Sequence, residues 1–295
     1  MYDLIIVGAG PSGLTAALYA LRANKKVLVL EAKTYGGQII NANLIENYPG
    51  ILSITGYDYA TNLYNQVKNL NGEIKFETVI RIEEDKTVIT NNNKYTAKSI
   101  ILATGAKNRK LNIERETEFI GKGISYCATC DGNFYKDKVV AVAGGGNTAL
   151  EDAIYLTDIA SKVYLIHRRD EFKGESKYLE QLKNKDNIEF ILNSNVVKLN
   201  GNTNLESIDI KNNEGQLKTI DVSGLFIAVG QEPNNQVFAN IIDLDKYGYI
   251  ISKDGVHTNI DKIYVAGDAR VKDLRQLTTA VSDGALAATT AIKEM

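Results

Sequence analysis

The two cysteines of this 295-residue chain stand three positions apart, in the run Cys127-Ala128-Thr129-Cys130-Asp131. This spacing suits a reversible disulfide that closes a short loop, and a helix beginning here would favour the nucleophilic thiolate. Asp131 is placed to give or take a proton near the sulfurs. We therefore predict a redox-active pair, with Cys127, Cys130 and Asp131 as the catalytic residues.

The cysteine pair has two alternative roles. A zinc site needs about four ligands, and the other soft ligands, His167 and His257, lack the spacing of a zinc finger. A purely structural disulfide would be unusual in a cytosolic chain, where thiols are kept reduced. Both alternatives explain the spacing less well than a redox role does.

The N-terminal segment has the order strand, glycine turn, helix, strand. An apolar strand over residues 3–7 precedes the turn, and a second strand over residues 27–30 ends at Glu31. Gly8 permits a tight turn, Gly10 lets the backbone approach a pyrophosphate, and Gly13 allows close packing of helix and strand. The helix N-terminus faces the phosphates, and Glu31 accepts hydrogen bonds from ribose hydroxyls. The pattern predicts a dinucleotide site; a glycine turn without a ligand is the alternative.

The same layout returns between residues 138 and 166, around the turn Gly144-Gly145-Gly146-Asn147-Thr148-Ala149. Here the position of the ribose-binding carboxylate is taken by His167, and Arg168 and Arg169 follow it. Guanidinium groups bind a 2′-phosphate through paired, charge-assisted hydrogen bonds, whereas a carboxylate would repel it. The second unit is therefore predicted to prefer NADP(H), with a solvated basic run as the alternative.

Further internal similarity indicates how the two units are connected. Apolar strands over residues 99–105 and 224–230 each end at a glycine, and each follows a stretch that predicts a small antiparallel sheet, over 74–97 and 188–222. The tail adds a strand over 261–266, the pair Gly267-Asp268 and a helix over 277–293. Asp268, at the mouth of a parallel sheet, can accept hydrogen bonds from sugar or ribityl hydroxyls, with an ordinary turn aspartate as the alternative.

The repeat predicts an α/β fold with two Rossmann-like dinucleotide-binding domains of three-layer sandwich architecture, the second inserted into the first. We place the first domain at residues 1–109 and 236–295, and the second, which carries the cysteine pair, at residues 110–235.

Composition excludes several classes of protein. The formal net charge is −2, so no global field favours nucleic acid or an anionic membrane. No apolar run reaches the roughly 20 residues that span a bilayer. The apolar start runs straight into glycines, unlike a signal peptide. We expect a cytoplasmic protein that binds neither nucleic acid nor membrane.

Together these parts suit an electron relay. NADPH supplies two electrons as hydride, a flavin can accept them and pass them to a disulfide, and the resulting dithiol reduces an external disulfide by thiolate attack.

Over essentially its whole length the chain resembles the low-molecular-weight thioredoxin reductases. The resemblance rests on the glycine turn at residues 8–13, the cysteine motif through Gly132, and several further motifs. These are Gly36-Gly37-Gln38, Glu46-Asn47-Tyr48-Pro49-Gly50, Ala103-Thr104-Gly105-Ala106, His167-Arg168-Arg169-Asp170-Glu171-Phe172, Gly267-Asp268 and Arg275-Gln276.

The resemblance implies FAD in the first domain, NADPH in the second, thioredoxin as the disulfide substrate, and a cytoplasmic homodimer. It also implies a second domain that rotates about two linkers. The FAD site would comprise Gly8, Gly10, Pro11, Ser12, Gly13, Glu31, Gly37, Gln38, Asn47, Ala103, Thr104, Gly105, Gly267, Asp268, Arg275 and Gln276. The NADPH site would comprise Gly144, Gly146, Asn147, Thr148, Ala149, His167, Arg168, Arg169 and Lys173.

The sequence departs from the family pattern in two places. Asn147-Thr148 stands where Asp-Ser is usual, and Lys173 replaces an arginine. A lysine ammonium acts as a single point charge, whereas an arginine guanidinium donates two parallel hydrogen bonds. We expect NADPH binding to survive on Arg168 and Arg169. The spacing leaves open which sulfur contacts the flavin, and the resemblance favours Cys130.

Alternative functions are a related flavoprotein reductase that serves another thiol protein, such as a peroxiredoxin system, and a flavin-binding redox sensor without turnover. The peroxide-linked reductases usually carry an extra N-terminal redox domain, which we do not expect before Asp3.

Overall fold

The computed structural model describes residues 1–42 and 44–295. It divides the chain into two compact units: unit 1 comprises residues 1–107 and 232–295, and unit 2 comprises residues 108–231. Unit 2 is thus a continuous segment inserted into the chain of unit 1.

Six α-helices lie in the described residues: α1 Pro11–Arg22, α2 Gly56–Asn69, α3 Ala128–Asp131, α4 Asn147–Thr157, α5 Ser176–Lys183 and α6 Leu277–Lys293. Short 3-10 helices cover Gly37–Asn41, Gly132–Tyr135, Gln236–Phe238 and Gly267–Ala269.

The strands are β1 Tyr2–Val7, β2 Val27–Glu31, β3 Glu73–Phe76, β4 Val79–Ile82, β5 Thr87–Thr90, β6 Lys94–Leu102, β7 Ala106–Asn108, β8 Ile124–Ser125, β9 Val139–Gly144, β10 Lys162–Ile166, β11 Ile188–Ile191, β12 Ser194–Asn200, β13 Ser207–Asn212, β14 Leu217–Asp221, β15 Gly224–Ala228, β16 Gln231–Pro233 and β17 Ile263–Val265.

Unit 1 is built on the parallel strands β3-β2-β1-β6, with β17 pairing on the far side of β6. Because side chains alternate along a strand, the buried run of β1 supplies two cores. Leu4 and Ile6 pack with helices α1 and α6 on one face, whereas Ile5 and Val7 pack with β4 and β5 on the other. Helices, parallel sheet and antiparallel strands form three layers, as predicted.

Unit 2 repeats this plan on the parallel strands β11-β10-β9-β15-β8. Val140 and Val142 of β9 pack with helix α4. Ala141 and Ala143, on the opposite face, pack with the antiparallel sheet β12-β13-β14. The β1–α1–β2 and β9–α4–β10 segments therefore present their glycine turns at equivalent places in the two units.

The predicted small sheets are wrong at their first strands. β3, which contains Ile74, pairs in parallel with β2, and β11, which begins at Ile188, pairs in parallel with β10. Both strands are half-buried at the edge of a parallel sheet, so they mix charged and apolar residues as half-buried antiparallel strands do. The strand predicted over 261–266 is confined to β17, while the helix predicted over 277–293 matches α6.

In the described part of the chain, no helix combines the length and the apolar character needed to cross a membrane.

Candidate active site

The two cysteines are joined in a disulfide, with their Cα atoms 5.3 Å apart. Cys127 ends an extended segment and Cys130 lies in the short helix α3. The backbone N–H groups of Cys130 and Asp131 donate to the Cys127 carbonyl oxygen at 3.3 and 3.1 Å. One helical turn thus holds the sulfurs within bonding distance, and the sequence-predicted redox pair can open and close without rearrangement of a sheet.

Asp131 lies directly after the disulfide and is largely withdrawn from solvent. Burial raises the pKa of its carboxyl above the ordinary value, and a hydrogen bond from Ser125 partly offsets this rise. The Ser125 hydroxyl donates to Asp131 Oδ2 at 2.6 Å and accepts from the Cys127 N–H at 3.0 Å. Ser125, which the sequence analysis missed, therefore connects the carboxyl to the redox loop.

In the first glycine turn, the packing of the chain requires glycine at two positions and leaves room for a side chain at the third. At Gly8, with φ +110°, a Cβ would strike the Ala103 carbonyl oxygen, and at Gly13 a Cβ would strike the Gly8 carbonyl oxygen. At Gly10 the nearest heavy atom to an added Cβ is the Gly37 Cα, at an ordinary 3.8 Å. The open space at the middle glycine fits a ligand that approaches the backbone.

The predicted FAD residues outside this turn lie in unit 1, and several of them form hydrogen bonds within it. The Glu31 carboxylate accepts from the Ala9 N–H at 2.9 Å, inside the turn. The Gln38 amide donates to the Ala106 carbonyl oxygen at 3.3 Å, and the Asn47 amide donates to Gln276 Oε1 at 3.2 Å.

Three of the predicted FAD residues carry buried polar atoms that have no hydrogen-bond partner in the described chain: Ser12 Oγ, Asp268 Oδ1 and Arg275 Nε. Such atoms are rare because burying them unpaired costs roughly 1–3 kcal/mol each. The Arg275 guanidinium stacks 4.2 Å over the ring of Tyr249. A donor, an acceptor and a hydroxyl are thus left for a polar ligand at this end of the sheet.

Asp283 in helix α6 is a further charged residue of this region that the sequence analysis missed. Its carboxylate is buried and accepts from the Gly267 N–H at 3.1 Å and from the Arg270 and Lys272 side chains at 3.0 and 2.8 Å. The available signal was a carboxylate in the middle of an alanine-rich helix.

The second glycine turn, like the first, has a glycine with no room for a side chain and a middle glycine with room for one. At Gly144 a Cβ would strike the Ala228 carbonyl oxygen, whereas at Gly146 nothing lies within 4 Å of an added Cβ. Ala149 is buried in the third position, and Thr148 is exposed at the start of α4. The Asn147 amide donates to Glu175 Oε1 at 3.0 Å and its oxygen accepts from the Glu175 N–H at 2.8 Å, which anchors the segment after the basic run.

His167 is packed rather than exposed at the selectivity position. Its ring is buried beneath Gly145, stacks on Phe172 with centroids 5.2 Å apart, and keeps Nε2 without a partner in the described structure. Burial lowers the pKa of His167, and the nearby charges of Arg168 and Arg169 lower it further. A neutral imidazole therefore forms the floor of this end of the turn.

The three cations predicted at this site are all exposed. Within residues 1–42 and 44–295, no carboxylate forms a salt bridge with Arg168, Arg169 or Lys173. The Lys173 N–H donates to the Gly145 carbonyl oxygen at 2.7 Å, so the backbone of the lysine is tied to the turn. The predicted NADPH residues thus surround the N-terminus of α4, with their charges available.

Comparison with known proteins gives one consistent result. The family model described as pyridine nucleotide-disulphide oxidoreductase matches residues 2–284. A thioredoxin reductase of Mycoplasma genitalium is 42% identical over 293 residues, which cover 97% of this chain and 93% of that relative. The thioredoxin reductase structure from Streptococcus pyogenes superposes with a TM-score of 0.95 at 40% identity, covering 100% of this chain and 98% of the other.

The chain belongs to the thioredoxin reductase family. A relative from Treponema pallidum agrees, at 40% identity over 97% of this chain and 95% of its own length. The chain is accordingly an NADPH-dependent flavoprotein disulfide reductase, which confirms the predicted fold class and enzyme class.

Thioredoxin reductases of this type use FAD and NADPH, and the residues present fit both cofactors. The open middle glycines leave room for a pyrophosphate in each unit, and the unpaired Ser12, Asp268 and Arg275 atoms supply hydrogen bonds for FAD. Among the described residues, no group of three or more His, Cys, Asp or Glu side chains is arranged to hold a metal ion.

Proposed function

We propose that this chain reduces the disulfide of thioredoxin with NADPH, through FAD and the Cys127–Cys130 pair. The observation that carries the proposal is the disulfide itself, closed within one helical turn beside the buried carboxyl of Asp131. In each turnover NADPH, a proton and the thioredoxin disulfide become NADP⁺ and the thioredoxin dithiol.

The redox pair would perform the thiol chemistry. FAD, when bound, supplies a carrier of two electrons between the nicotinamide and the disulfide. Uptake of two electrons and two protons opens the Cys127–Cys130 bond to a dithiol. One thiolate then attacks the thioredoxin disulfide, and the second sulfur releases the mixed disulfide, so that both electrons and both protons leave with the partner.

Asp131 is proposed as the acid–base group of this step. Burial raises its pKa and favours the protonated carboxyl, which suits a residue that stores a proton beside sulfurs alternating between thiol and thiolate. The Ser125 hydroxyl, bonded to both Asp131 and the Cys127 N–H, would hold the carboxyl near the loop in either redox state. Following the family, we assign flavin contact to Cys130 and attack on thioredoxin to Cys127.

The two cofactors are assigned to different domains. We propose that residues 1–109 and 236–295 bind FAD and that residues 110–235 bind NADPH. The FAD residues are Gly8, Gly10, Pro11, Ser12, Gly13, Glu31, Gly37, Gln38, Asn47, Ala103, Thr104, Gly105, Gly267, Asp268, Arg275 and Gln276. The NADPH residues are Gly144, Gly146, Asn147, Thr148, Ala149, His167, Arg168, Arg169 and Lys173, of which Arg168 and Arg169 bind the 2′-phosphate.

Two further properties are proposed from the family resemblance. The active species would be a homodimer, because the family is homodimeric. The protein would act in the cytoplasm without binding membrane or nucleic acid, which agrees with a net charge of −2.

The test is a steady-state assay of the purified yellow protein with a panel of thioredoxin-like proteins, a disulfide indicator, and NADPH or NADH. We expect sustained NADPH oxidation that requires thioredoxin. Flavin that is reduced by NADPH without sustained turnover on any partner would favour a redox sensor, and turnover only with another thiol protein would change the assigned substrate.

A further inference from the structure

Helix α6 contributes one buried carboxylate to the end of the sheet where Asp268 lies. The Asp283 side chain is 9% exposed and accepts four hydrogen bonds from groups that follow β17. The donors are the Gly267 N–H at 3.1 Å, Arg270 Nε and Nη2, each at 3.0 Å, and Lys272 Nζ at 2.8 Å. The Lys272 side chain is itself only 6% exposed.

The charges of the same two cations also act on Asp268. The charges that act on Asp268 are those of Lys272, Arg275 and Arg270, which lower its pKa, and of Asp283, which raises it; burial is the largest influence and leaves the pKa of Asp268 above the ordinary value. Although three cations lie nearby, Asp268 Oδ1 is buried without a partner in the described structure. Two of these cations, Arg270 and Lys272, donate their hydrogen bonds to Asp283 instead.

Asp283 also fixes the backbone that carries Asp268. Gly267 adopts φ +75° and its N–H is held by Asp283. A side chain at Gly267 would meet Ser12 Cβ at 2.8 Å, and one at Gly284, beside Asp283, would strike the Ser12 carbonyl oxygen. Asp283 therefore lies where α6, the start of α1 and the Gly267 turn meet, beside Ser12 and Asp268, two of the three predicted FAD residues with unpaired polar atoms.

We propose that Asp283 is a positioning residue of the FAD site: it binds Arg270 and Lys272 so that the carboxylate of Asp268 stays open to the hydroxyl groups of the cofactor. The inference rests on the proposed assignment of FAD to this unit. Without the Asp283 charge, Lys272 keeps its charge near the carboxyl of Asp268. Because an unpaired buried charge is costly, the lysine is then expected to pair with Asp268. The cofactor would then compete with an internal ion pair.

The experiment measures the FAD dissociation constant of the full chain after deflavination, by titration with FAD and flavin fluorescence. The variants are Asp283→Asn, Lys272→Met, and the two combined, with Asp273→Asn as the matched control because Asp273 is an exposed carboxylate of the same loop. Each variant is also unfolded with denaturant, to record its stability separately.

We expect Asp283→Asn to weaken FAD binding by about tenfold or more, the loss of one charged hydrogen bond. The combined variant should recover to within about threefold of wild type, because the competing lysine is gone, while Lys272→Met and Asp273→Asn bind FAD normally. Recovery of FAD affinity by removal of a second charged residue is not expected if Asp283 only stabilises the fold.

Unchanged affinity in Asp283→Asn, or a loss that Lys272→Met does not restore, overturns the inference. Should Asp283→Asn fail to fold, Arg270→Lys removes the guanidinium fork but keeps the charge; about threefold weaker binding supports the inference, and unchanged binding overturns it. A wild-type chain that does not bind FAD would instead contradict the proposed function.

Discussion

Substitution of Gly10, the middle glycine of the first turn, should weaken cofactor binding without disturbing the fold. Gly10 precedes helix α1 with φ −75° and ψ −179°, a backbone conformation open to any residue, and an added Cβ would meet only the Gly37 Cα at 3.8 Å. At Gly13, by contrast, the Cβ would strike the Gly8 carbonyl oxygen. We therefore compare Gly10→Ala with Gly13→Ala, two identical substitutions three residues apart.

The expected effects on stability differ in size. At Gly10, alanine lowers the entropy of the unfolded chain, which stabilises the fold by about 0.4–1 kcal/mol. Alanine is also a poorer N-cap than glycine, which destabilises the fold by about 1 kcal/mol. These contributions oppose each other, so the free energy of unfolding of Gly10→Ala should stay within about 1 kcal/mol of wild type. Gly13→Ala should lose at least about 1–3 kcal/mol, as overpacked sites do.

Although Gly10→Ala should change the stability little, it should weaken FAD binding strongly. A methyl group in the space left for the pyrophosphate removes close backbone contact with charged oxygens, worth about 2–3 kcal/mol, or about 30- to 150-fold in affinity. Denaturant unfolding of the deflavinated chain and FAD titration measure the two quantities independently. Gly10→Ala protein that binds FAD within twofold of wild type, or that is destabilised as much as Gly13→Ala, would refute the reasoning.

Two further predictions concern charge. The double variant Arg168→Ala, Arg169→Ala should raise the Michaelis constant for NADPH by about tenfold to a hundredfold, because hydrogen bonds to a charged group contribute roughly 1.5–3 kcal/mol, and should leave the Michaelis constant for NADH nearly unchanged. The control is Lys183→Ala, which removes an exposed cation on α5. Equal effects on both nicotinamides would exclude the 2′-phosphate assignment. Burial raises the pKa of Asp152 to about 7, above its unfolded value, so the folded chain keeps a proton that unfolding releases between about pH 4 and pH 7. The free energy of unfolding should therefore fall as pH rises through that range, by at most about 4 kcal/mol from this group. Between about pH 5 and pH 8, the melting temperature should fall less for Asp152→Asn than for the neighbouring control Glu151→Gln. An equal fall in both variants would contradict a raised pKa of Asp152.

Local patterns predict the elements that build each nucleotide unit. β1, the glycine turn and α1 follow one another in a short segment, and α6 is a single long alanine-rich helix, so local spacing is enough to locate them. Their counterparts in unit 2 are found by the same spacing. The open position at Gly10 also follows from the fingerprint, since the turn chemistry is local.

Features that depend on distant partners were not predictable in the same way. β3 and β11 belong to the parallel sheets only because β2 and β10 lie beside them, and their short sequences of mixed polarity suit either kind of sheet. Asp283 becomes part of the Asp268 region only when α6 packs on α1, and Ser125 joins Asp131 across the redox loop. These residues have ordinary sequence surroundings, and their roles arise from tertiary contact.

The most direct test of the account is the reduction of thioredoxin by single-cysteine variants. Cys127→Ser and Cys130→Ser should retain bound FAD and allow NADPH to reduce the flavin, yet both should lose steady-state NADPH oxidation with thioredoxin, because neither can close the disulfide that carries electrons to the partner. Normal turnover by either variant would contradict a dithiol mechanism at Cys127 and Cys130.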